Sequence, residues 1–277
     1  MDKPIVALMY DFDKTLCTKD MQEYGFIPNL GMKAPDFWKS VSDLTDREGM
    51  DSVLAYMYMM VEKAKEKRIS VTRSTFNELG RSVQFFEGVE DWFNRINLYG
   101  EEQGVTIEHY IVSSGIKEII EGTSIADQFK RIYACEFMYD YNGLICWPKL
   151  AVNYTDKTQF FFRINKGVLD ITSKSAEELN KYTPENMRRV PFRNMIYIGD
   201  GITDVPCMKL TKAYGGKSIA VYNGEGKGKD TALALLKNDR VNYVLPADYR
   251  ENSRLDQAVK LIINKVKAVE ELEECIL

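Results

Sequence analysis

Three short apolar runs in this chain each stop abruptly at carboxylates or hydroxyls. Ile5 to Tyr10 runs into Asp11-Phe12-Asp13, Thr106 to Val112 into Ser113-Ser114-Gly115, and Met195 to Ile198 into Gly199-Asp200-Gly201, with Asp204 close behind. Uninterrupted apolar runs of this length are strands buried on both faces, the pattern of a parallel sheet rather than of a half-exposed antiparallel one. Ser218 to Tyr222 and Val241 to Leu245 are candidate fourth and fifth strands. Helix-forming segments alternate with the strands from Val89 onward, which predicts an open parallel α/β sheet with helices on both faces. Ligands of such sheets bind beyond the carboxyl ends of the strands, where the strand order reverses. That edge is where the polar residues collect.

The stretch from 17 to 85 breaks the alternation. Val53, Tyr56, Met57, Met60, Val61 and Ala64 recur at helical spacing, so this segment reads as a helical insert after the first strand. The expected division is a core of 1–16 and 86–277 with an insert of 17–85. Between the second and third strands, Phe137, Tyr139 and Tyr141 alternate and Leu144 to Trp147 returns. Asn142-Gly143 between them predicts a small β-hairpin closed by a type I′ turn. Ser253 caps a helix whose stripe runs through Leu255, Val259, Ile262 and Val266.

Asp11 and Asp13 are two residues apart, so an extended backbone turns both toward one side. Close carboxylates repel, leaving one ionised and holding the other protonated, a division suited to a nucleophile beside an acid/base. Asp200 and Asp204 bring further negative charge to the same edge, and four such groups share a site only around a cation. Hard oxygen ligands without His or Cys point to Mg²⁺ together with a phosphate-bearing substrate. The one histidine, His109, falls inside the second strand and reads as structural. Gly215-Gly216-Lys217-Ser218 hints at a phosphate-binding P-loop, but Thr211 stands where that pattern needs glycine.

Composition limits the partners. Charged residues make up 28% of the chain and apolar ones 45%, with a net charge of −4, so there is no basic excess to favour nucleic acid or an anionic membrane. No apolar run approaches the ~18 residues of a membrane span. Five cysteines without a C-x-x-C pair argue against a disulfide framework or zinc site. A cytoplasmic location is expected, and nothing here fixes the oligomeric state.

Together these residues resemble the haloacid dehalogenase-like hydrolases, and most closely the phosphoserine-phosphatase-like branch, which has a helical cap. The resemblance rests on Asp11-Phe12-Asp13-Lys14-Thr15, on Ile111-Val112-Ser113, on Lys157 opening a helix (with Lys166 as the reserve), and on Gly199 to Asp204. It implies a Rossmann-like core, with the insert as the cap, and Mg²⁺-dependent hydrolysis of a small phosphomonoester through an aspartyl phosphate. Asp11 is then the nucleophile and Asp13 the acid/base. Asp11, Asp13 through its carbonyl, and Asp200 hold the metal. Asp204 supports that shell, on a metal-bound water or on Lys157. Ser113, Ser114 and Lys157 receive the phosphate, and Thr15 fixes the loop beside them. Gln22, Tyr24 and Trp38 are early cap positions that could face the substrate. Forty-three positions separate Lys157 from Asp200, which predicts an extra helical segment over 173–187. A phosphotransferase or phosphomutase on the same core, or a non-catalytic phosphate-binding protein, are the alternatives.

Overall fold

A computed structural model of the chain describes residues 3–224 and 228–275. Its centre is β1 (Ile5–Tyr10), where Val6 to Tyr10 are fully buried, so both faces of the strand are covered. To one side lie β2 (Thr106–Ile116), β3 (Arg131–Tyr139) and β4 (Ile145–Leu150); to the other, β5 (Met195–Gly199), β6 (Lys217–Tyr222) and β7 (Tyr243–Pro246). The sheet order is β4-β3-β2-β1-β5-β6-β7, and every pairing except β3–β4 is parallel. The order reverses at β1. The carboxyl ends of β1 and its two neighbours therefore define the binding edge.

Four helices, α1 (Phe26–Asn29), α2 (Ala34–Glu48), α3 (Ser52–Glu66) and α4 (Arg73–Gly80), form the insert between β1 and α5 (Val89–Glu102). The apolar stripe of α3 is buried through Val53, Tyr56, Met57, Met60 and Val61. Asp51 caps that helix by accepting from the Val53 and Leu54 amides. The chain enters and leaves the insert side by side: Thr18 N–H donates to Gln84 O at 3.0 Å, and Phe86 N–H to Leu16 O at 3.0 Å. The insert lies down on the core. Phe76 of α4 stacks on Phe137 of β3 with ring centroids 5.6 Å apart, and Ile145 N–H donates to Val71 O at 2.9 Å.

The remaining helices are α6 (Lys117–Glu121), α7 (Lys157–Lys166), α8 (Ser173–Asn180), α9 (Val205–Ala213), α10 (Lys229–Lys237) and α11 (Arg254–Glu274). The extra helical segment expected over 173–187 is α8 followed by a short turn of 3₁₀ helix at Glu185–Met187. Among the described residues no helix is long and apolar enough to cross a membrane.

One local expectation, the type of the hairpin turn, is corrected. The expected hairpin is present as β3 and β4, and because β3 also pairs with β2 in parallel it forms one end of the main sheet. Pro148, which has no amide hydrogen, is tolerated because β4 is an edge strand. Its turn is not type I′, since Gly143 takes a positive φ of 75° and Asn142 does not. Asp140 Oδ1 instead accepts from the amides of Asn142 and Leu144, and its carbonyl accepts from Gly143. That side chain builds the turn one residue earlier. Ser113, Ser114 and Gly115 lie in the extended end of β2, which runs on to Ile116.

His109 is buried between Tyr10 and Asn97 in a network that fixes its protonation. Trp92 Nε1–H donates to the Tyr10 hydroxyl at 2.9 Å, so Tyr10 donates onward to His109 Nδ1 at 3.0 Å, and the ring's Nε2–H faces Asn97 Oδ1 at 3.0 Å. Burial lowers the pKa of His109 to about 3. Only the unfolded chain takes up this proton between about pH 6.5 and 3, so stability is full above the unfolded value and lost as pH falls below it. Between pH 7 and 5 the loss is about 2 kcal/mol. A urea-unfolding series is expected to show that much extra pH dependence in the wild type over His109→Gln.

Candidate active site

Asp11 is the first residue beyond β1, and its amide still donates to Ile198 O of β5 at 2.9 Å. Asp200 follows β5 and Asp204 lies four residues on. One carboxylate oxygen from each of Asp11, Asp200 and Asp204 lies within 4.8 Å of the others. Lys157, at the first position of α7 and 1% exposed, reaches into this group. Its ammonium donates to Asp11 Oδ1 and to Asp204 Oδ1, each at 2.8 Å. Lys166, one helix-length away, spends its ammonium on the carbonyls of Leu179 and Lys181.

Asp204 is fully buried and both of its oxygens are occupied. Oδ1 accepts from Lys157 and, at 2.6 Å, from the Tyr197 hydroxyl; Oδ2 accepts from the amides of Asp200 and Gly201 at 3.1 and 3.2 Å. It therefore acts on Lys157 and the Asp200 turn, and leaves Asp11 and Asp200 as the carboxylates open to a ligand. Gly199 makes room for it: a Cβ there would lie 2.5 Å from Asp204 Oδ2. Tyr197 was not singled out by the sequence. The only trace of it is a hydroxyl in an otherwise aliphatic strand.

Asp13 stands apart from the three-carboxylate group. Its Oδ1 accepts from Met21 N–H, in the insert, at 2.8 Å. Met21 is 1% exposed, and its Sδ accepts from Ile116 N–H at 3.0 Å. Its methyl fills the space left by Gly115, where a Cβ would come within 2.1 Å of Met21 Cε and 3.2 Å of Asp13 Oδ2. One residue of the insert thus touches both the Asp13 carboxylate and the end of β2.

Ser113 is buried, and its Oγ accepts from Gly115 N–H at 3.0 Å, which leaves the hydroxyl proton free to donate outward. Ser114 O accepts from the Tyr56 hydroxyl of α3 at 2.5 Å. Thr15 is fully buried and holds the loop through its carbonyl, which accepts from Tyr249 at 2.9 Å. Lys14 sits in the left-handed region with φ 58°, anchored by its ion pair to Asp20 at 2.6 Å. A non-glycine residue in that conformation costs on the order of 1 kcal/mol.

The electrostatics follow from crowding. Burial raises the pKa of Asp11 to about 6, against the pull of Lys157 and with Asp204 adding to it. Burial, Asp204 and Asp11 together raise Asp200 to about 8. Burial, then Asp20 and Asp11, carry Asp13 well above the ordinary carboxylate range. Burial works against the charge on Lys157, yet Asp11 and Asp204 hold it above the usual lysine value. One ammonium does not neutralise this edge.

A cleft of about 500 Å³ opens between the insert and the strand ends, bordered by Asp11, Asp13, Ser113, Ser114, Lys157 and Asp200. Gln22 and Trp38 line it from the insert, as do Val53 and Tyr56. Tyr24 does not: its hydroxyl meets Thr18 and the Lys19 amide and donates to Gln84 O at 3.1 Å, bracing the two strands of chain that enter and leave the insert.

A mostly parallel α/β sheet with acidic residues and a buried lysine gathered beyond its switch point is the layout of a Rossmann-like enzyme. The chain belongs to the haloacid dehalogenase-like hydrolase family, whose model matches residues 8–209. It is 30% identical to an uncharacterized protein of Borreliella burgdorferi over 91% of this chain and 94% of that one. A family hydrolase from Salmonella enterica serovar Typhi superposes with a TM-score of 0.57 at 15% identity, covering 94% of this chain and 72% of the other. A phosphoserine phosphatase in apo form gives 0.56 at 13% identity, covering 89% and 96%. A phospho-aspartyl intermediate analogue of phosphoserine phosphatase gives 0.54 at 14%, covering 94% and 99%.

Proposed function

We propose that the protein is a Mg²⁺-dependent phosphatase that hydrolyses a small phosphomonoester through a phosphorylated Asp11. The observation that carries this reading is Lys157, buried between Asp11 and Asp204 with the Asp200 carboxylate beside them. Family membership supports it, as does the likeness in fold to phosphoserine phosphatases.

Asp11 forms a bond to phosphorus as the bond to the alcohol oxygen breaks, and Asp13 gives its proton to that oxygen. A water then attacks phosphorus, Asp13 takes its proton, and the Asp11–phosphorus bond breaks to release phosphate. An Asp13 pKa held high by burial suits the first half of this cycle. Lys157 fixes the orientation of the Asp11 carboxylate, and with the Ser113 hydroxyl and the Ser114 amide it meets the phosphoryl oxygens. The insert 17–85 serves as a cap that keeps other water out.

The residues fit Mg²⁺. The donors are hard oxygens, Asp11 and Asp200 have room for a ligand, and three carboxylates, two of them buried, gather round the one Lys157 ammonium. Asp11, Asp200 and the Asp13 carbonyl would hold the ion, which when bound offsets the negative charge of carboxylates and phosphate. Five free cysteines suit a reducing, cytoplasmic setting. The purified protein is expected to cleave p-nitrophenyl phosphate with Mg²⁺ and to lose at least ~100-fold of that rate in EDTA, with recovery on adding Mg²⁺. Undiminished turnover in EDTA would rule the reading out.

A further inference from the structure

The walls of the cleft limit what leaves with the oxygen. Four carboxylates border it, Asp11, Asp13, Asp20 and Asp200, against two lysines. Both lysines are already paired: Lys157 with Asp11 and Asp204, and Lys14 with Asp20. No arginine or third lysine lines the cleft among the described residues. A divalent ion and a phosphoryl dianion cancel each other there, and even with Asp13 protonated the carboxylates of Asp11, Asp20 and Asp200 outnumber the two lysines. A second anionic group on the substrate would enter that field with no counter-charge among the described residues.

The insert side of the cleft is of a different kind. Trp38 and Tyr56 lie edge to face with centroids 6.1 Å apart, beside Val41 and Val53. The indole N–H is turned onto Glu23 at 2.9 Å, so the ring is left to make apolar and cation–π contact. Gln22 is 2% exposed, and its amide oxygen has no hydrogen-bond partner. A buried amide in that state calls for a donor.

Resting on the phosphatase reading above, we propose that the substrate is the phosphomonoester of an alcohol with no second anionic group. The alcohol instead carries a hydrogen-bond donor, an ammonium or hydroxyl, close to the ester oxygen. Its donor meets Gln22 and its carbon skeleton meets Trp38 and Tyr56. This excludes phosphorylated hydroxy acids, among them phosphoserine, the substrate in the names of several proteins of similar fold.

Phosphoethanolamine and phosphoserine differ by one carboxylate and so form the test pair. The full-length wild type with Mg²⁺ is expected to show a kcat/KM at least ~100-fold higher for phosphoethanolamine, the order that one uncompensated charge represents at ion-pair range. That ratio should narrow with added salt, which screens the repulsion. Ser52→Arg, at an exposed position on the cleft rim in the first turn of α3, supplies a cation and should shrink the ratio by ~10-fold or more. A wild-type ratio near one, or in favour of phosphoserine, overturns the charge selection while leaving the phosphatase intact. So does turnover of p-nitrophenyl phosphate with neither test compound hydrolysed or competing. Absence of all three activities overturns the phosphatase reading itself.

Discussion

Asp11→Asn is expected to reduce Mg²⁺-dependent turnover of p-nitrophenyl phosphate by about 10⁴-fold or more, the scale on which enzymes lose rate when their nucleophile is removed. The variant should still fold. Lys157 keeps Asp204 as its partner, and the substitution removes one of three carboxylates that crowd the edge. Its urea midpoint without metal should therefore match or exceed that of the wild type, while the rise in melting temperature on adding Mg²⁺ should shrink. Activity within tenfold of the wild type in a folded Asp11→Asn protein would remove Asp11 from the mechanism. Turnover that collapses while the metal-free urea midpoint holds or rises separates this result from simple damage to the fold.

Lys157→Met acts through the other partner. It leaves Asp11 and Asp204 buried against each other with no cation between them, and taking one member from a buried ion pair costs about 3–5 kcal/mol. For a chain of this size the melting temperature should fall by roughly 10 °C. Asp204→Asn should also destabilise, because its oxygens hold the Tyr197 hydroxyl and the amides of Asp200 and Gly201 as well as Lys157. Because the two residues meet directly, the double variant should lose less stability than the two single losses combined. Strict additivity, measured by urea unfolding, would mean that the contact carries no coupling.

The strand ends were legible because a parallel strand buried on both faces leaves a continuous apolar run, and the first charged residue marks where it surfaces. Asp11 and Asp200 stand out for that reason. The end of β2 was harder to read: Ser113 and Gly115 look like a turn, yet the strand continues because Ile116 N–H finds the sulfur of Met21 from a distant segment. Asn142-Gly143 suggested one turn while the Asp140 side chain, two residues earlier, built another. Tyr197 and Tyr56 were invisible as polar groups, since a tyrosine in a buried run reads as bulk until its hydroxyl is seen to meet Asp204 or the Ser114 carbonyl. Chemistry that a strand carries at its tip could be read locally; chemistry assembled by contact between segments could not.

The amide of Met21 ties the insert to the chemistry proposed for Asp13. It belongs to the insert, yet it grips the Asp13 carboxylate beyond the end of β1. In the proposed mechanism Asp13 is the proton donor, and this hydrogen bond would hold it in place only while the insert is seated. On that reading the seating of the insert and the delivery of a proton would share one backbone amide, which couples the fit of the substrate to the chemistry performed on it.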